Sequence, residues 1–343
     1  MIEHGGIEHG GALDRAVARF GGTASGWLDL STGINPEHFP LPDLPAEIWN
    51  RLPDEALLQE TLALARDYYG VAADAPVVAA PGTQGLIQLV PRLLAPATVA
   101  VVGPTYQEHA ASFAASGWRV AECRAIAEIP GDATVAVIVN PNNPDGRVAG
   151  RDELLALAAR LGAKGGLLAV DEAFADADPR ASVAGDAAHA PLIVLKSFGK
   201  FFGLAGIRLG FAFGRSGIVD EIARRLGPWA VPGPTLAIAA HAFRETDALH
   251  AFRIRIEARR HGLSEVLRRC GLREIGGTAL FALVERTDAH CLHEELCEQH
   301  ILVRKFAYAP HWLRIGLAPD DAGLARLETG LQKAGGQKAN LRK

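Results

Sequence analysis

Four short apolar runs, each closing on a polar cluster, organise the chain. Val77-Val-Ala-Ala80 leads into Pro81-Gly-Thr-Gln84, and Thr134-Val-Ala-Val-Ile-Val139 into Asn140-Pro-Asn-Asn-Pro-Asp-Gly146. Gly166-Leu-Leu-Ala-Val170 leads into Asp171-Glu-Ala-Phe174, and Pro191-Leu-Ile-Val-Leu195 into Ser197-Phe-Gly-Lys200. Unbroken apolar runs flanked by turn residues predict strands buried on both faces. Stretches of helical spacing such as Asp152-Glu-Leu-Leu-Ala-Leu-Ala-Ala-Arg160 alternate with them, which predicts an α/β fold on a mostly parallel sheet. Open sheets of this kind bind ligands at the carboxyl ends of their strands. Three consecutive strands therefore deliver Asn143, Asp171 and Lys200 to one edge.

The last of the four runs carries the most specific chemistry. Ser197, Lys200 and Arg208 bring a hydroxyl, an amine and a guanidinium within twelve residues, with two glycines allowing close approach to the backbone. That set suits a cofactor with one aldehyde and one phosphate: Lys200 for the aldehyde, Ser197 and Arg208 for the phosphate. By spacing alone, a surface loop with a solvated Lys and Arg fits equally well, Asp171 reads as a helix N-cap, and Asn143 as a turn former before Pro144.

Taken together, S-x-x-K-x-x-x-L-x-G-x-R-x-G, the preceding N-P-x-N-P-x-G and the D-E-A-F segment resemble the aminotransferase class I/II family of pyridoxal-phosphate (PLP) enzymes, over residues 9 to 316. The resemblance implies the PLP-dependent transferase fold type I: a mostly parallel large domain plus a smaller α+β domain. It implies pyridoxal 5'-phosphate as cofactor, with Lys200 linked to its aldehyde, Asp171 paired with its ring nitrogen and Asn143 bonded to its phenolic oxygen. Ser197 and Arg208 would hold the phosphate, helped by the backbone of Gly82, Thr83 and Gln84 at a helix start. Tyr106 would stack on the ring and Phe174 would line it.

Four further segments narrow the resemblance: His9-Gly10-Gly11, Asp29-Leu-Ser-Thr-Gly-Ile-Asn-Pro36, Asp171-Glu-Ala-Phe174 and Pro228-Trp-Ala-Val231. They resemble the branch of the family that decarboxylates L-threonine O-3-phosphate in cobalamin biosynthesis. The alternative is a transaminase such as the histidinol-phosphate aminotransferases, which usually carry Tyr at the position of Phe174. A substrate with a carboxylate and a phosphate would be met by Arg314 for the carboxylate and Arg304 for the phosphate, with His9 and Asn35 beside them. Members of the family are homodimers, and a homodimer is expected here. Leu52, in Arg51-Leu-Pro-Asp54, stands where relatives usually carry a Tyr that reaches the neighbouring subunit's cofactor.

Composition narrows the remaining choices. The chain has 343 residues, 49% hydrophobic and 22% charged, and a net charge of −4, which offers no general attraction for nucleic acid or membrane. Met1-Ile-Glu-His-Gly-Gly lacks a basic start and an apolar core, so no signal peptide is expected, and no window approaches the ~18 apolar residues of a membrane span. A cytoplasmic enzyme is expected. The four cysteines form no C-x-x-C pair. His293 and Cys297 share a helix face, but Leu292 and Leu296 make that face a core one and no metal is expected. The expected organisation is an N-terminal arm and crossing segment (1–53), a PLP-binding large domain (54–230), a C-terminal small domain (231–334) and a disordered tail (335–343).

Overall fold

A computed structural model of the chain describes residues 7 and 9–340, with side chains through residue 334. It divides into two compact units. The smaller comprises the segment ending at Glu37, Pro144–Gly146 and the chain from Arg253 onward; the larger comprises His38–Asn143 and Arg147–Phe252.

The chain opens in the smaller unit with helix α1 (Leu13–Phe20) and strand β1 (Leu28–Asp29). The larger unit then follows with α2 (Glu47–Asn50), α3 (Glu55–Tyr68), β2 (Val77–Ala80), α4 (Gly82–Leu89), β3 (Thr98–Val102), α5 (Glu108–Ala115), β4 (Arg119–Cys123) and β5 (Ala133–Val139). It continues with α6 (Arg151–Gly162), β6 (Leu167–Asp171), β7 (Leu192–Ser197), α7 (Phe198–Phe201), β8 (Gly210–Gly214), α8 (Ser216–Leu226) and α9 (Gly233–Arg244). Its seven strands form one sheet in the order β2-β8-β7-β6-β5-β3-β4. Every neighbouring pair is parallel except those made by β8, which is antiparallel to both β2 and β7. Every residue of β3, β6, β7 and β8 is buried, because helices cover both faces. The four runs predicted as strands are β2, β5, β6 and β7.

Helix α10 (Thr246–Arg269) leaves the larger unit, and β9 (Arg273–Thr278), β10 (Phe281–Glu285), α11 (Ala289–Glu298), β11 (Ile301–Leu302), β12 (Arg304–Lys305), β13 (Trp312–Gly316) and α12 (Asp321–Asn340) complete the smaller one. Its four-stranded antiparallel sheet runs β12-β13-β10-β9. The N-terminal segment is stitched into this unit rather than standing apart: β1 pairs in parallel with β11, and the Gly316 N–H donates to Leu30 O at 2.7 Å.

Three boundaries differ from those expected. Residues 38–53 lie in the larger unit, where the buried Phe39 ring meets Phe202 and Phe252 edge-on at 5.6 and 5.2 Å. That unit ends at Phe252 rather than near 230, because α9 packs on α3 and Thr61 Oγ1 donates to Leu236 O at 3.2 Å. The expected disordered tail begins inside α12, which runs to Asn340 through Gly335-Gly336; residues 341–343 lie outside the described residues. A glycine weakens a helix by about 1 kcal/mol but keeps the N–H that the helix needs.

On α11, Leu292, His293, Leu296 and Cys297 form the buried face. Burial, and then the nearby Lys305, push the His293 imidazole down from 6.5 to about 4. The folded chain thus holds His293 neutral while the unfolded chain protonates it. Stability should fall as pH drops from about 6.5 to about 4 and level off below. A His293→Phe variant should lose this part of the slope, read from urea midpoints of the two proteins across that window.

Candidate active site

The polar ends of the parallel strands share one edge of the seven-stranded sheet. Val139 of β5 pairs with Asp171 of β6, and Asp171 with Leu195 of β7, so Asn140–Asn143, Asp171 and Ser197–Lys200 emerge side by side. β2 is parallel to these strands and delivers Gly82–Gln84 to the same edge, while the antiparallel β8 starts there, just after Arg208. Ser197 pairs with Gly210 across the β7–β8 ladder.

One corner of this edge is a small cationic cradle. Gly82 takes a φ of +77°, and a Cβ there would sit 2.9 Å from the Arg208 Nη2. Arg208 itself holds the left-handed conformation, φ 54° and ψ 63°, and its Nη1 donates to Ala205 O at 3.2 Å. Gly210 is equally constrained: a Cβ would lie 2.7 Å from the Thr83 N and 3.1 Å from Lys196 O. A guanidinium is thereby packed against the amino-terminal start of α4, the positive end of the helix. That juxtaposition is unfavourable until an anion joins it, and the buried Ser197 stands next to it. A phosphate fits.

Around the cradle, Asp171 is 4% exposed and doubly held. Its Oδ1 accepts the Ala173 N–H at 3.0 Å, and its Oδ2 lies 2.9 Å from the Nε2 of the buried His109. The Lys200 Nζ is 5.9 Å from the ring of Phe174, itself buried. Tyr106 donates its hydroxyl to Gln84 Oε1 at 3.1 Å, and Gln84 Nε2 donates to Glu108 Oε2 at 3.0 Å. Asn142, the neighbour of Asn143, accepts from Thr105 Oγ1 at 2.6 Å and donates to Pro104 O at 3.0 Å, fastening the Tyr106 loop to the Asn143 loop. The structure thus gathers Gly82, Thr83, Gln84, Tyr106, Asn143, Asp171, Phe174, Ser197, Lys200 and Arg208 at one sheet edge.

His109 was not among the residues singled out from the sequence. A lone histidine three positions after Tyr106 gives little warning, and only the fold brings it to Asp171, 62 residues away.

The remaining candidates, His9, Asn35, Arg304 and Arg314, belong to the smaller unit. Arg304 and Arg314 are direct register partners on β12 and β13. Arg314 is 6% exposed, donates to Ser31 O at 2.7 Å and lies 4.9 Å over the Phe281 ring. Burial, and then the Arg304 charge, pull its guanidinium down to about 10. Like charges directly opposite one another in a sheet repel. Tyr308, in the turn between the two strands, joins this group; burial pushes its hydroxyl up to about 12, while the two arginines act in the other direction. Asp29 organises the N-terminal side by accepting the Ser31 N–H at 2.8 Å and its hydroxyl at 2.6 Å. Ser31 Oγ then accepts the Gly11 N–H at 2.7 Å, and a Cβ on Gly10 would lie 3.5 Å from the Arg314 Nη2. His9 is exposed in this arm, and Asn35 is buried and accepts the Glu37 N–H at 3.2 Å.

Among the described residues no group of three or more His, Cys, Asp or Glu side chains could hold a metal ion. His293 and Cys297 lie 3.8 Å apart on α11. Leu52 is 62% exposed and offers no hydroxyl.

A sheet edge with a lysine, a buried Asp–His pair and a phosphate-sized cationic cradle is the working edge of a fold type I pyridoxal-phosphate enzyme. The chain belongs to the aminotransferase class I and II family, whose model matches residues 46–330. It is 50% identical over 331 residues to a threonine-phosphate decarboxylase of Sinorhizobium sp., covering 95% of this chain and 98% of the relative. It is 42% identical over 327 residues to another from Pseudomonas aeruginosa, covering 95% and 97%. The histidinol-phosphate aminotransferase of Sinorhizobium meliloti, solved in complex with pyridoxal-5'-phosphate, superposes with a TM-score of 0.80 at 21% identity, covering 96% of this chain and 95% of that one.

The Asp171–His109 pair predicts a graded loss. Asp171→Asn should lower kcat on the order of 10²-fold or more, as for removal of a well-placed electrostatic partner. His109→Phe, which removes one hydrogen bond to Asp171, should cost about 10-fold. Steady-state rates at saturating PLP and substrate check both, and the reverse ranking would count against the pair as drawn.

Proposed function

We propose that this protein decarboxylates L-threonine O-3-phosphate to (R)-1-amino-2-propanol O-2-phosphate and carbon dioxide, in cobalamin biosynthesis. The observation that supports the substrate class is the register pair Arg304–Arg314: two guanidinium groups side by side on the β12–β13 ladder, one of them buried, a pairing that suits two anionic groups. A substrate bearing a phosphate and a carboxylate supplies both. The two threonine-phosphate decarboxylases, similar along nearly the whole chain, support the same reaction.

Pyridoxal phosphate supplies the electron sink that draws off the pair left when the bond from Cα to the carboxylate breaks. Arg208, Ser197 and the N–H groups of Gly82, Thr83 and Gln84 hold its phosphate. Asp171, steadied by His109 and the Ala173 N–H, keeps a proton on its ring nitrogen, since a carboxylate within hydrogen-bond reach favours the charged form. Asn143 bonds its phenolic oxygen, and Tyr106 and Phe174 line its ring. Lys200 Nζ would hold the aldehyde, and its amine would be the group that returns a proton to Cα. Arg314 binds the substrate carboxylate by a planar fork, and Arg304, with His9, binds the phosphate; Asn35 lines the carboxylate side. By holding both anions these groups would orient the substrate so that the bond from Cα to the carboxylate, and not Cα–H, is the one broken.

The protein acts in the cytoplasm as a homodimer. Leu41, Trp49, Leu52 and Trp229 of the larger unit are 52, 65, 62 and 59% exposed and offer apolar surface to a second copy. No helix among the described residues is long and apolar enough to cross a membrane.

Purified protein loaded with PLP should release carbon dioxide from L-threonine O-3-phosphate with no keto acid present. Glutamate formed from histidinol phosphate and 2-oxoglutarate, with no carbon dioxide in the first assay, would make it a transaminase instead. Arg304→Ala should lower kcat/KM for threonine phosphate by about 10- to 100-fold, the cost of losing charge-assisted hydrogen bonds. An unchanged rate at subsaturating substrate would remove Arg304 from the phosphate.

A further inference from the structure

Directly behind Asp171 and Ser197, the two strands that carry them are joined by a buried ion pair that the proposed chemistry does not use. Glu172 and Lys196 are 0 and 1% exposed, and Lys196 Nζ lies 2.5 Å from Glu172 Oε2. Glu172 is fully engaged: Oε2 also accepts the Ser182 hydroxyl at 2.5 Å, and Oε1 accepts the Val183 N–H at 2.8 Å. Lys196 Nζ also donates to Ser182 Oγ at 3.3 Å and sits 4.8 Å over the Tyr69 ring. The Tyr69 hydroxyl in turn donates to Asp176 Oδ2 at 3.3 Å, and burial raises its pKa well above the ordinary range.

Side chains alternate across a strand, so Glu172 and Lys196 point away from the face presented by Asp171 and Ser197. Taking both charges out of water costs several kcal/mol per ion, and apolar replacements of such pairs are often neutral or stabilising. Fold stability alone is therefore a poor reason for this pair at this place. A one-residue slip between β6 and β7 would turn Asp171 away from the cofactor edge, and the ladder alone resists a slip weakly at a strand's last residue. The ion pair lies one residue beyond the Asp171–Leu195 register pair, just past the end of β6, and also ties down the segment to Val183 that follows Asp171.

We propose that Glu172 and Lys196 are positioning residues: their buried ion pair locks the ends of β6 and β7 in register, so that Asp171 and the Ser197–Lys200 segment meet the same pyridoxal phosphate. The inference rests on the cofactor reading above. It locates the device in a pair that touches neither cofactor nor substrate and acts through the backbone.

The test is a PLP titration of apo-protein, followed by tryptophan fluorescence and visible absorbance, with the melting temperature of each apo-protein measured alongside. The variants are Glu172→Gln/Lys196→Met and Ser182→Ala. The double variant removes both charges yet keeps an acceptor for the Val183 N–H, so its apo-form should melt cooperatively within a few degrees of the wild type. Its Kd for PLP should rise about 10-fold or more, the equivalent of one lost charge-assisted hydrogen bond. Ser182→Ala leaves the ion pair in place and should keep the Kd within about threefold even where it lowers the melting temperature. A double variant with wild-type Kd would overturn the proposal. So would one whose apo-form no longer melts cooperatively, since the pair would then be an element of stability. Wild-type protein that failed to bind PLP would instead sink the cofactor reading and this inference with it.

Discussion

Parallel pairing of β5, β6 and β7 is the constraint on which the site depends. Strands covered by helices on both faces can carry almost nothing but apolar side chains, so polar groups are forced to the ends where the cover stops. Because the three strands run the same way, their polar ends fall on one edge, and backbone bonds carry the ladder one residue further. Asn140 N donates to Asp171 O, and Glu172 N to Leu195 O, each at 2.8 Å. The hydrophobic effect that builds the sheet thus also concentrates its chemistry.

Positive charge is gathered at two places. Arg208 crowds the positive end of α4, and Arg304 faces Arg314 across a ladder. Each arrangement presents positive charge already placed for an anion, so binding one needs little reorganisation. The buried polar groups at the sheet edge are satisfied in a different way, by one another. His109 holds Asp171, Asn142 joins two loops, and Gln84 links Tyr106 to Glu108. The turn that carries Lys200 is held by aromatic packing: Phe198 stacks on Phe202 at 4.0 Å, and Phe201 meets both Phe202 and Phe252 edge-on.

Much of this was legible in the chain itself. Short apolar runs rich in β-branched residues and closed by residues that favour turns read as strands covered on both sides, so strand positions and the polar edge that carries Asn143, Asp171 and Lys200 follow from local order. The cofactor is read from the resemblance of the combined motifs to the aminotransferase class I/II family; spacing alone leaves a solvated loop equally possible. What depends on partners distant in sequence could not be read this way. His109 meeting Asp171, Lys196 meeting Glu172 and Arg304 meeting Arg314 are pairings across strands and helices, and nothing in the local pattern names the partner. The boundary at Phe252 and the pairing of β1 with β11 are likewise settled by packing, where burial is shared between segments far apart in the chain. Local patterning therefore determined which groups this protein displays. Long-range packing chose their neighbours, because only contacts between remote segments decide which buried charge meets which.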